Sequence, residues 1–422
     1  MMPNGTMSAT VHLSELTRAF ARIGILSFGG PAAQIALMHR ELVDERQWVS
    51  EEDYLSALSF CMLLPGPEAM QLATWIGWKK HGTIGGLIAG GLFVLPGAVI
   101  VLALAMIYGA WGQVPLVAAL FTGVQAAVLA VVIEALLRVA KRALKSRSHW
   151  IIAALAFAAL FLFAAPFPVV ILAAGIWGFV ATNAPSAAPP TPAPWRTTLR
   201  ALLIWGVVWL APLGLLTVFA PGILAEIAWF FSKLALLTFG GAYAVLTWMA
   251  QDVVQQKHWL TLPQMIDGLG LAETTPGPLI LVTEFVGYLA AAKQGLWMGL
   301  AGAIITLWMT FAPCFLWIFA GAPWIDRLTH APRLSGALRA ITAAVVGVIT
   351  NLSIWFAAHV LFGKVASVDF GPLHLITPDL GSLRLLPSLL ALAAAYLLLR
   401  RHWPLPVVLC LCALATAALA AI

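Results

Sequence analysis

The sequence predicts an all-α polytopic membrane protein with two homologous halves in inverted topology, each with helices broken at Phe-Gly-Gly and Pro-Gly-Pro. Composition gives the first evidence: 62% of the 422 residues are hydrophobic, 9% are charged and the mean hydropathy is +0.95. Soluble domains average about 25% charged residues, so this chain belongs in a lipid bilayer. The breaker motifs occur twice at one spacing, and the charged loops change sides between the halves.

Two breaker motifs return 211 residues later along the chain. Phe28-Gly29-Gly30 returns as Phe239-Gly240-Gly241, and Pro65-Gly66-Pro67 returns as Pro276-Gly277-Pro278. The residues that keep this spacing outside the motifs are Arg22 with Lys233, Glu41 with Asp252, Arg46 with Lys257, and Trp48 with Trp259. Duplicated hydrophobic segments that are interrupted by Gly or Pro indicate the binding site of a secondary transporter.

The Pro-rich segment 183–199 divides the chain. It separates an N-terminal transmembrane repeat (1–182) from a C-terminal repeat (200–422), which carries one additional span at 200–220. The apolar runs predict the other spans at 84–110, 115–137, 150–182 (as two short passes), 297–320, 340–362, 385–399 and 404–422.

Loop charges predict the inverted orientation. The first-half loop that begins near Arg138 and ends at Arg147 is strongly basic and should be cytoplasmic, whereas the equivalent second-half loop carries only Lys364. The loops that precede these two show the reverse, because residues 111–115 carry no charge and the equivalent loop of the second half is basic. We therefore expect an inner-membrane protein with a cytoplasmic N-terminus and a periplasmic C-terminus. The net charge of +6 reflects this bias, and no nucleic acid partner is expected.

Each break should create a short helix that starts inside the membrane. Proline and glycine stop the helix near Leu64, and Pro67 is suited to the first position of a new one. The new helix leaves its first N–H groups without helical partners, and these form an anion site with about half a unit of positive charge. Four such starts suit a small dianion. The predicted substrate-binding backbone comprises Gly29, Gly30, Pro65, Gly66, Pro67, Gly240, Gly241, Pro276, Gly277 and Pro278.

Four polar side chains could complete this anion site. Arg22 and Lys233 precede their glycine pairs by six residues and could reach a bound anion, although both could instead extend toward the membrane interface. Gln34 and Gln71 follow the breaks by about one turn and could donate amide hydrogens to an oxyanion. Their alternative role is hydrogen bonding between helices.

Three carboxylates near the breaks are candidates for proton coupling: Glu68, Glu273 and Glu284. Buried carboxylates in membrane helices are costly and often carry protons. Glu273 is favoured over a purely structural capping role. Glu68 would compete with an anionic substrate unless it is protonated. Glu134 and Arg138 are spaced for an ion pair within one helix.

No motif indicates catalysis or a cofactor. The sequence has no P-loop, no zinc-protease motif, no nucleophile elbow and no Asp-rich metal motif. The four cysteines lie in apolar runs without a spacing that suggests disulfides or a metal site. We therefore expect a transporter that needs no cofactor and binds no metal.

At these motifs the chain resembles the chromate transporter family of oxyanion carriers. The resemblance rests on Phe28-Gly29-Gly30-Pro31 and Pro65-Gly66-Pro67 with Gln71 in the first half, and on Phe239-Gly240-Gly241, Glu273-Thr274-Thr275-Pro276-Gly277-Pro278 and Gly287-Tyr288 in the second. It covers essentially the whole chain and matches the long-chain, two-domain form. The resemblance implies export of chromate by an antiporter driven by the proton-motive force, chromate resistance, and sulfate as a competing ligand.

Two other function classes stay open at this point. One is an uptake carrier for sulfate or another oxyanion, which would use the same site with different coupling. The other is a membrane-embedded enzyme that acts on a phosphorylated lipid, although the chain lacks clustered Asp, His or Cys residues. A homodimer is also compatible with the sequence.

Overall fold

The computed structural model describes residues 11–28, 30–112, 114–182, 195–239, 242–325, 328, 331–371 and 373–420. Within these residues the chain is almost entirely helical, and five helices are long and apolar enough to cross a membrane.

The described part of the first half contains seven α-helices. They are α1 (Leu13–Leu26), α2 (Gly30–His39), α3 (Glu51–Cys61), α4 (Glu68–Trp111), α5 (Pro115–Ala143), α6 (Arg147–Phe163) and α7 (Phe167–Ala181). The predicted pair of short passes in 150–182 corresponds to α6 and α7, which are joined through Ala164 in a left-handed conformation (φ 46°).

The described second half contains nine helices and one β-hairpin. The helices are α8 (Trp195–Phe219), α9 (Ile223–Leu237), α10 (Ala242–Gln251), α11 (Leu262–Thr274), α12 (Val282–Ala292), α13 (Leu296–Gly321), α14 (Pro332–Leu361), α15 (Leu385–Leu399) and α16 (Leu405–Ala420). Residues 183–194 of the predicted linker lie outside the described residues. The additional span α8 begins at Trp195, five residues before the predicted boundary at 200.

Helix α4 is a hairpin of two helices rather than one straight span. A straight helix of 44 residues would be about 66 Å long, twice the thickness of a bilayer core. Non-helical angles at His81 and Gly82 (φ 59°) fold it back on itself. The arms meet at Gly77 and Gly85, where an added Cβ on either residue would lie 2.2 Å from the carbonyl oxygen of the other. Helices α12 and α13 form the equivalent hairpin and pack closely together.

The duplication is visible in local structure as well as in sequence. A π-helical segment follows both α2 (Arg40–Glu45) and α10 (Asp252–Gln256). Each is followed by a non-glycine residue with positive φ, Gln47 at 53° and His258 at 52°, which are 211 residues apart. Such angles are uncommon outside glycine, so their repetition at one offset reflects a common backbone.

The two halves are interlocked through their long helices. Helix α5 of the first half packs against α15 and α16 of the second, and α14 of the second half packs against α6 and α7 of the first. Each C-terminal helix pair therefore lies on the opposite half. Small residues allow the close contacts: a Cβ on Gly123 would lie 2.1 Å from the carbonyl oxygen of Cys412.

A β-hairpin after α14 is the element that the sequence analysis missed. Val365–Phe370 pairs antiparallel with Leu373–Pro378, and this hairpin replaces the loop expected near residue 364. Neither six-residue strand alternates strictly between apolar and polar residues, because Val365-Ala366 and Leu375-Ile376 are adjacent apolar pairs, so the sequence carries no clear strand signal here.

Candidate functional site

Each Phe-Gly-Gly motif lies between two helices. Helix α1 ends at Leu26 and α2 begins at Gly30, while α9 ends at Leu237 and α10 begins at Ala242. The predicted residues Gly29, Gly240 and Gly241 lie outside the described residues; Gly30 has φ 77°. The hydroxyls of Ser27 and Thr238, 211 residues apart, both donate to the carbonyl four residues earlier, at 2.6 and 2.7 Å.

Each Pro-Gly-Pro motif forms a corner between helices. In the first half α3 ends at Cys61 and α4 begins at Glu68. Pro67 is extended (φ −73°, ψ 107°) and precedes the helix. It is therefore the N-cap, and the prediction that it is the first helical residue is wrong by one position. In the second half, Pro278 is followed by a 3₁₀ turn (Leu279–Leu281) and then by α12. Gly66 (φ 122°) and Gly277 (φ 90°) adopt angles that require glycine.

Backbone hydrogen bonds join each corner to the break in the other half. The N–H of Gly66 donates to the carbonyl oxygen of Thr238 at 2.8 Å, and the N–H of Gly277 donates to that of Ser27 at 2.9 Å. These four residues form two pairs related by the same offset of 211. The corner amides are therefore used to connect the halves, and the amides left for a ligand are those of the following helical turns.

The side-chain amides of Gln34 and Gln71 donate hydrogen bonds to backbone carbonyl oxygens of the Pro-Gly-Pro corners. Gln34 donates its amide to the carbonyl oxygens of Ser27 (3.2 Å) and Gly277 (2.6 Å), and Gln71 donates to that of Pro65 (2.7 Å). Both side chains are almost completely buried, and their Oε1 atoms have no hydrogen-bond partner within the described residues. In this conformation the amide hydrogens of Gln34 serve backbone carbonyls, so its contact with an oxyanion stays a prediction.

Arg22 and Lys233 lie away from the cavity described next. The Arg22 guanidinium is 3.5 Å from Glu41, and its side chain is 59% exposed. The Lys233 ammonium lies 5.9 Å from the centre of the Trp229 ring. Their proposed contact with an anion stays a prediction, and the residues around them indicate interfacial positions.

A cavity of about 240 Å³ lies where three of the new helices begin. It is lined by Pro31 and Ala32 at the start of α2, by Gly66 and Glu68 at the start of α4, by Ala242 and Tyr243 at the start of α10, and by Arg138 and Arg142 of α5, with Cys61, Met62, Leu64, Val139 and Thr342 completing its wall. We call it the arginine cavity. Three helix starts contribute about 1.5 units of positive charge, and Arg142 adds one more, whereas the charge of Arg138 is paired with that of Glu134. Glu68 supplies the opposing negative charge.

Sequence reasoning missed Arg138 and Arg142 as site residues. It assigned them to the basic loop, and Arg138 to an ion pair with Glu134. That ion pair is confirmed, at 2.5 Å. The available signal was the spacing of four residues between the two arginines, which places both on one face of α5.

A second cavity, of about 260 Å³, shares a wall with the first. Arg138 and Tyr243 line both, and the second also contains Glu134, Glu273 and His402. We call it the carboxylate cavity. The Tyr243 hydroxyl donates to Glu273 at 2.7 Å. The favoured proton-coupling candidate therefore lies one side chain away from the arginine cavity.

Glu284 lies outside both cavities. Its side chain is 1% exposed, and its Oε2 atom has no hydrogen-bond partner among the described residues. The described residues also contain no group of three or more His, Cys, Asp or Glu residues that could hold a metal ion. Helix starts and guanidinium groups, which line the arginine cavity, are the groups with which proteins commonly bind anions.

Duplicated broken helices around a basic cavity, in a chain with five helices able to cross a membrane, define a multi-pass membrane transport protein. Residues 14–179 and 225–417 both match the chromate transporter family, and the chain belongs to this family.

Three relatives cover most of the chain. It is 31% identical over 370 residues to the chromate transport protein of Cupriavidus metallidurans (84% of this chain, 86% of the relative). It is 32% identical over 377 residues to that of Pseudomonas aeruginosa (85% and 84%). An uncharacterized transporter of Methanocaldococcus jannaschii is 27% identical over 391 residues (90% and 93%). These proteins are named as transporters, so the chain is a transporter and not an enzyme. No solved structure matches the chain.

Proposed function

We propose that this protein exports chromate across the inner membrane, driven by the proton-motive force, and thereby confers chromate resistance. Two of the relatives above are named chromate transport proteins. The observation that carries the proposal is the arginine cavity, where three helix starts and two arginines meet. A volume of about 240 Å³ accommodates a tetrahedral oxyanion with some of its water.

The membrane potential favours export. A charge that crosses a membrane gains about 2.3 kcal/mol per 100 mV, so a dianion that leaves a cell with a negative interior gains about twice that. Uptake of the same ion would have to be coupled to cations. We place the N-terminus in the cytoplasm and the C-terminus in the periplasm, because the basic residues that follow α5 then lie inside.

Sulfate should compete with chromate. The two ions have the same charge and tetrahedral shape, and backbone amides and guanidinium groups recognise mainly charge and oxygen geometry. The arginine cavity contains few features that would separate them, so we expect sulfate to bind and to slow chromate transport.

Uptake of labelled chromate into everted vesicles tests the proposal. Energised vesicles should accumulate chromate, a protonophore should abolish accumulation, and sulfate should inhibit it. Arg142→Gln should reduce transport at normal protein levels, with Lys364→Gln as a matched exposed control. Accumulation in right-side-out vesicles instead, with none in everted ones, would favour the sulfate or oxyanion uptake carrier.

A further inference from the structure

Equivalent positions beyond the corners differ by 217 residues. Pro96 inside α4 corresponds to Pro313 inside α13, and Pro115 at the start of α5 corresponds to Pro332 at the start of α14. By the same arithmetic Gln125 corresponds to Thr342, and Arg142 corresponds to His359. In each pair, one residue lines one cavity and its counterpart lines a different cavity.

The first cavity is the arginine cavity, which contains Arg142 and Thr342. The other has a volume of about 290 Å³ and contains Gln125 and His359 together with Arg384. We call it the histidine cavity. Each cavity therefore uses the C-terminal part of one long helix and the N-terminal third of the other. Helices α5 and α14 consequently run in opposite directions, as equivalent helices do in an inverted repeat.

The two cavities lie at different levels along these helices. Gln125 and Arg138 are 13 residues apart on α5, a distance of about 20 Å. The arginine cavity reaches the Pro-Gly-Pro corner of its half, because Gly66 lines it. The histidine cavity ends at Ile266 on α11, well before the second corner at Gly277.

A buried carboxylate lies beside the histidine cavity, next to the lining residue Ile266 and bonded to the lining residue Gln125. Asp267, next to Ile266, is 3% exposed and accepts hydrogen bonds from Gln125 of α5 (2.9 Å) and Tyr108 of α4 (2.7 Å). These bonds hold α11 against the first half. The counterpart of Asp267 is Ser56 on α3, which is exposed, and the arginine cavity separates the end of α3 from Thr342 of α14.

We infer that the histidine cavity is the second oxyanion station, on the opposite face of the membrane, and that the Asp267–Gln125–Tyr108 cluster is the closed gate between it and the corners. This inference rests on the proposed transport function. His359 and Arg384 supply the cationic and donor groups for the anion there, as Arg138 and Arg142 do in the arginine cavity. During transport the gate opens while α3 closes on α14.

Accessibility of single cysteines tests this inference in a variant without the four native cysteines. Thr342→Cys reports on the arginine cavity and Val365→Cys on the histidine cavity. A membrane-impermeant thiol reagent should modify them from opposite faces of oriented vesicles, and sulfate should slow both reactions. In the Asp267→Ala background, modification of Thr342→Cys from its own face should fall by about fivefold or more, because α3 closes on α14 when the gate opens. Glu226→Ala, which removes an exposed carboxylate of α9 outside both cavities, is the control and should leave that reactivity unchanged.

Gln125→Leu removes one gate hydrogen bond and serves as the second gate variant if Asp267→Ala does not fold. Modification of both cysteines from one face would overturn the inference. So would protection by sulfate at Thr342→Cys without protection at Val365→Cys, or gate variants that leave the reactivity of Thr342→Cys from its own face unchanged. If sulfate protected neither cysteine and the native chain did not transport chromate, the result would instead contradict the proposed function.

Discussion

The amide nitrogen of Gln34 lies 2.6 Å from the carbonyl oxygen of Gly277, which is 243 residues further along the chain. One side chain thus connects the Phe-Gly-Gly break of the first half to the Pro-Gly-Pro corner of the second. Replacing Gln34 with Leu would leave the buried carbonyl oxygen of Gly277 without this donor, whereas the Ser27 carbonyl oxygen would keep the N–H of Gly277. Each buried polar group without a partner costs about 1–3 kcal/mol, so we expect a clear loss of thermal stability in detergent. Gln294→Leu, at an exposed position, should be neutral, and equal melting temperatures for both variants would contradict this role.

Alanine at the corner glycines should damage both folding and transport. Gly66 and Gly277 have φ angles of 122° and 90°, and an added Cβ would lie 2.8 Å from the Cys314 sulfur or 2.9 Å from a Leu281 methyl group. Strain of this kind costs about 1–3 kcal/mol. Gly91→Ala is the control, because an added Cβ there meets no atom within 4 Å. Thermal unfolding and chromate uptake should both separate the corner variants from the control.

The two arginines of the cavity should dominate anion affinity. Arg138→Gln and Arg142→Gln each remove a charged donor, worth about 1.5–3 kcal/mol per hydrogen bond, and should weaken sulfate binding about tenfold or more. Arg142→Lys should retain part of the affinity, because it keeps the charge but loses the planar fork. Calorimetric titration of the purified protein gives the affinities. Unchanged binding in both glutamine variants would remove the arginine cavity from the mechanism.

Arg22→Gln and Lys233→Gln test whether these two residues bind the anion, as the sequence predicts, or lie outside the anion site, as the lining of the arginine cavity indicates. The contacts of Arg22 with Glu41 and of Lys233 with Trp229 predict small effects on affinity, of about twofold or less. A loss comparable with that of Arg142→Gln would bring these two residues back into the site. The same titration decides the question.

Glu68→Gln should strengthen anion binding. The Glu68 carboxylate lines the same cavity as the anion, and like charges a few ångströms apart repel by about 1–4 kcal/mol near a protein surface. A proton on Glu68 removes the repulsion, so affinity should rise as the pH falls, and this pH dependence should disappear in Glu68→Gln. Glu52→Gln, at an exposed position on α3, should keep the native pH profile. Glu273→Gln and Glu284→Gln show whether another carboxylate carries the proton instead.

The sequence was informative wherever one residue type has a single physical role. Prolines and glycines gave the corners and helix ends to within a few residues, and the apolar runs gave the long spans. The repeat spacing predicted two homologous halves, and the structure adds the paired positive φ angles at Gln47 and His258, which the sequence does not indicate. Pro67 differs by one position, because it precedes the helix as its N-cap.

The site itself depends on contacts between distant segments. Arg138 and Arg142 belong to the arginine cavity only because α5 packs beside the breaks, which lie about 70–110 residues away on both sides of the sequence. Gln34 looked like a free donor because its acceptor is a carbonyl of the other half. Asp267 has no recognisable motif, and its partners Tyr108 and Gln125 come from two other helices.

Because α5 lies on α15 and α16 while α14 lies on α6 and α7, each half provides the surface that the other needs in order to fold. During synthesis, α6 and α7 enter the membrane before α14, so they lack their main helical neighbour until the second half is inserted. Cutting the gene within codons 183–194 should therefore yield two fragments that are degraded when made singly and persist when they are made together.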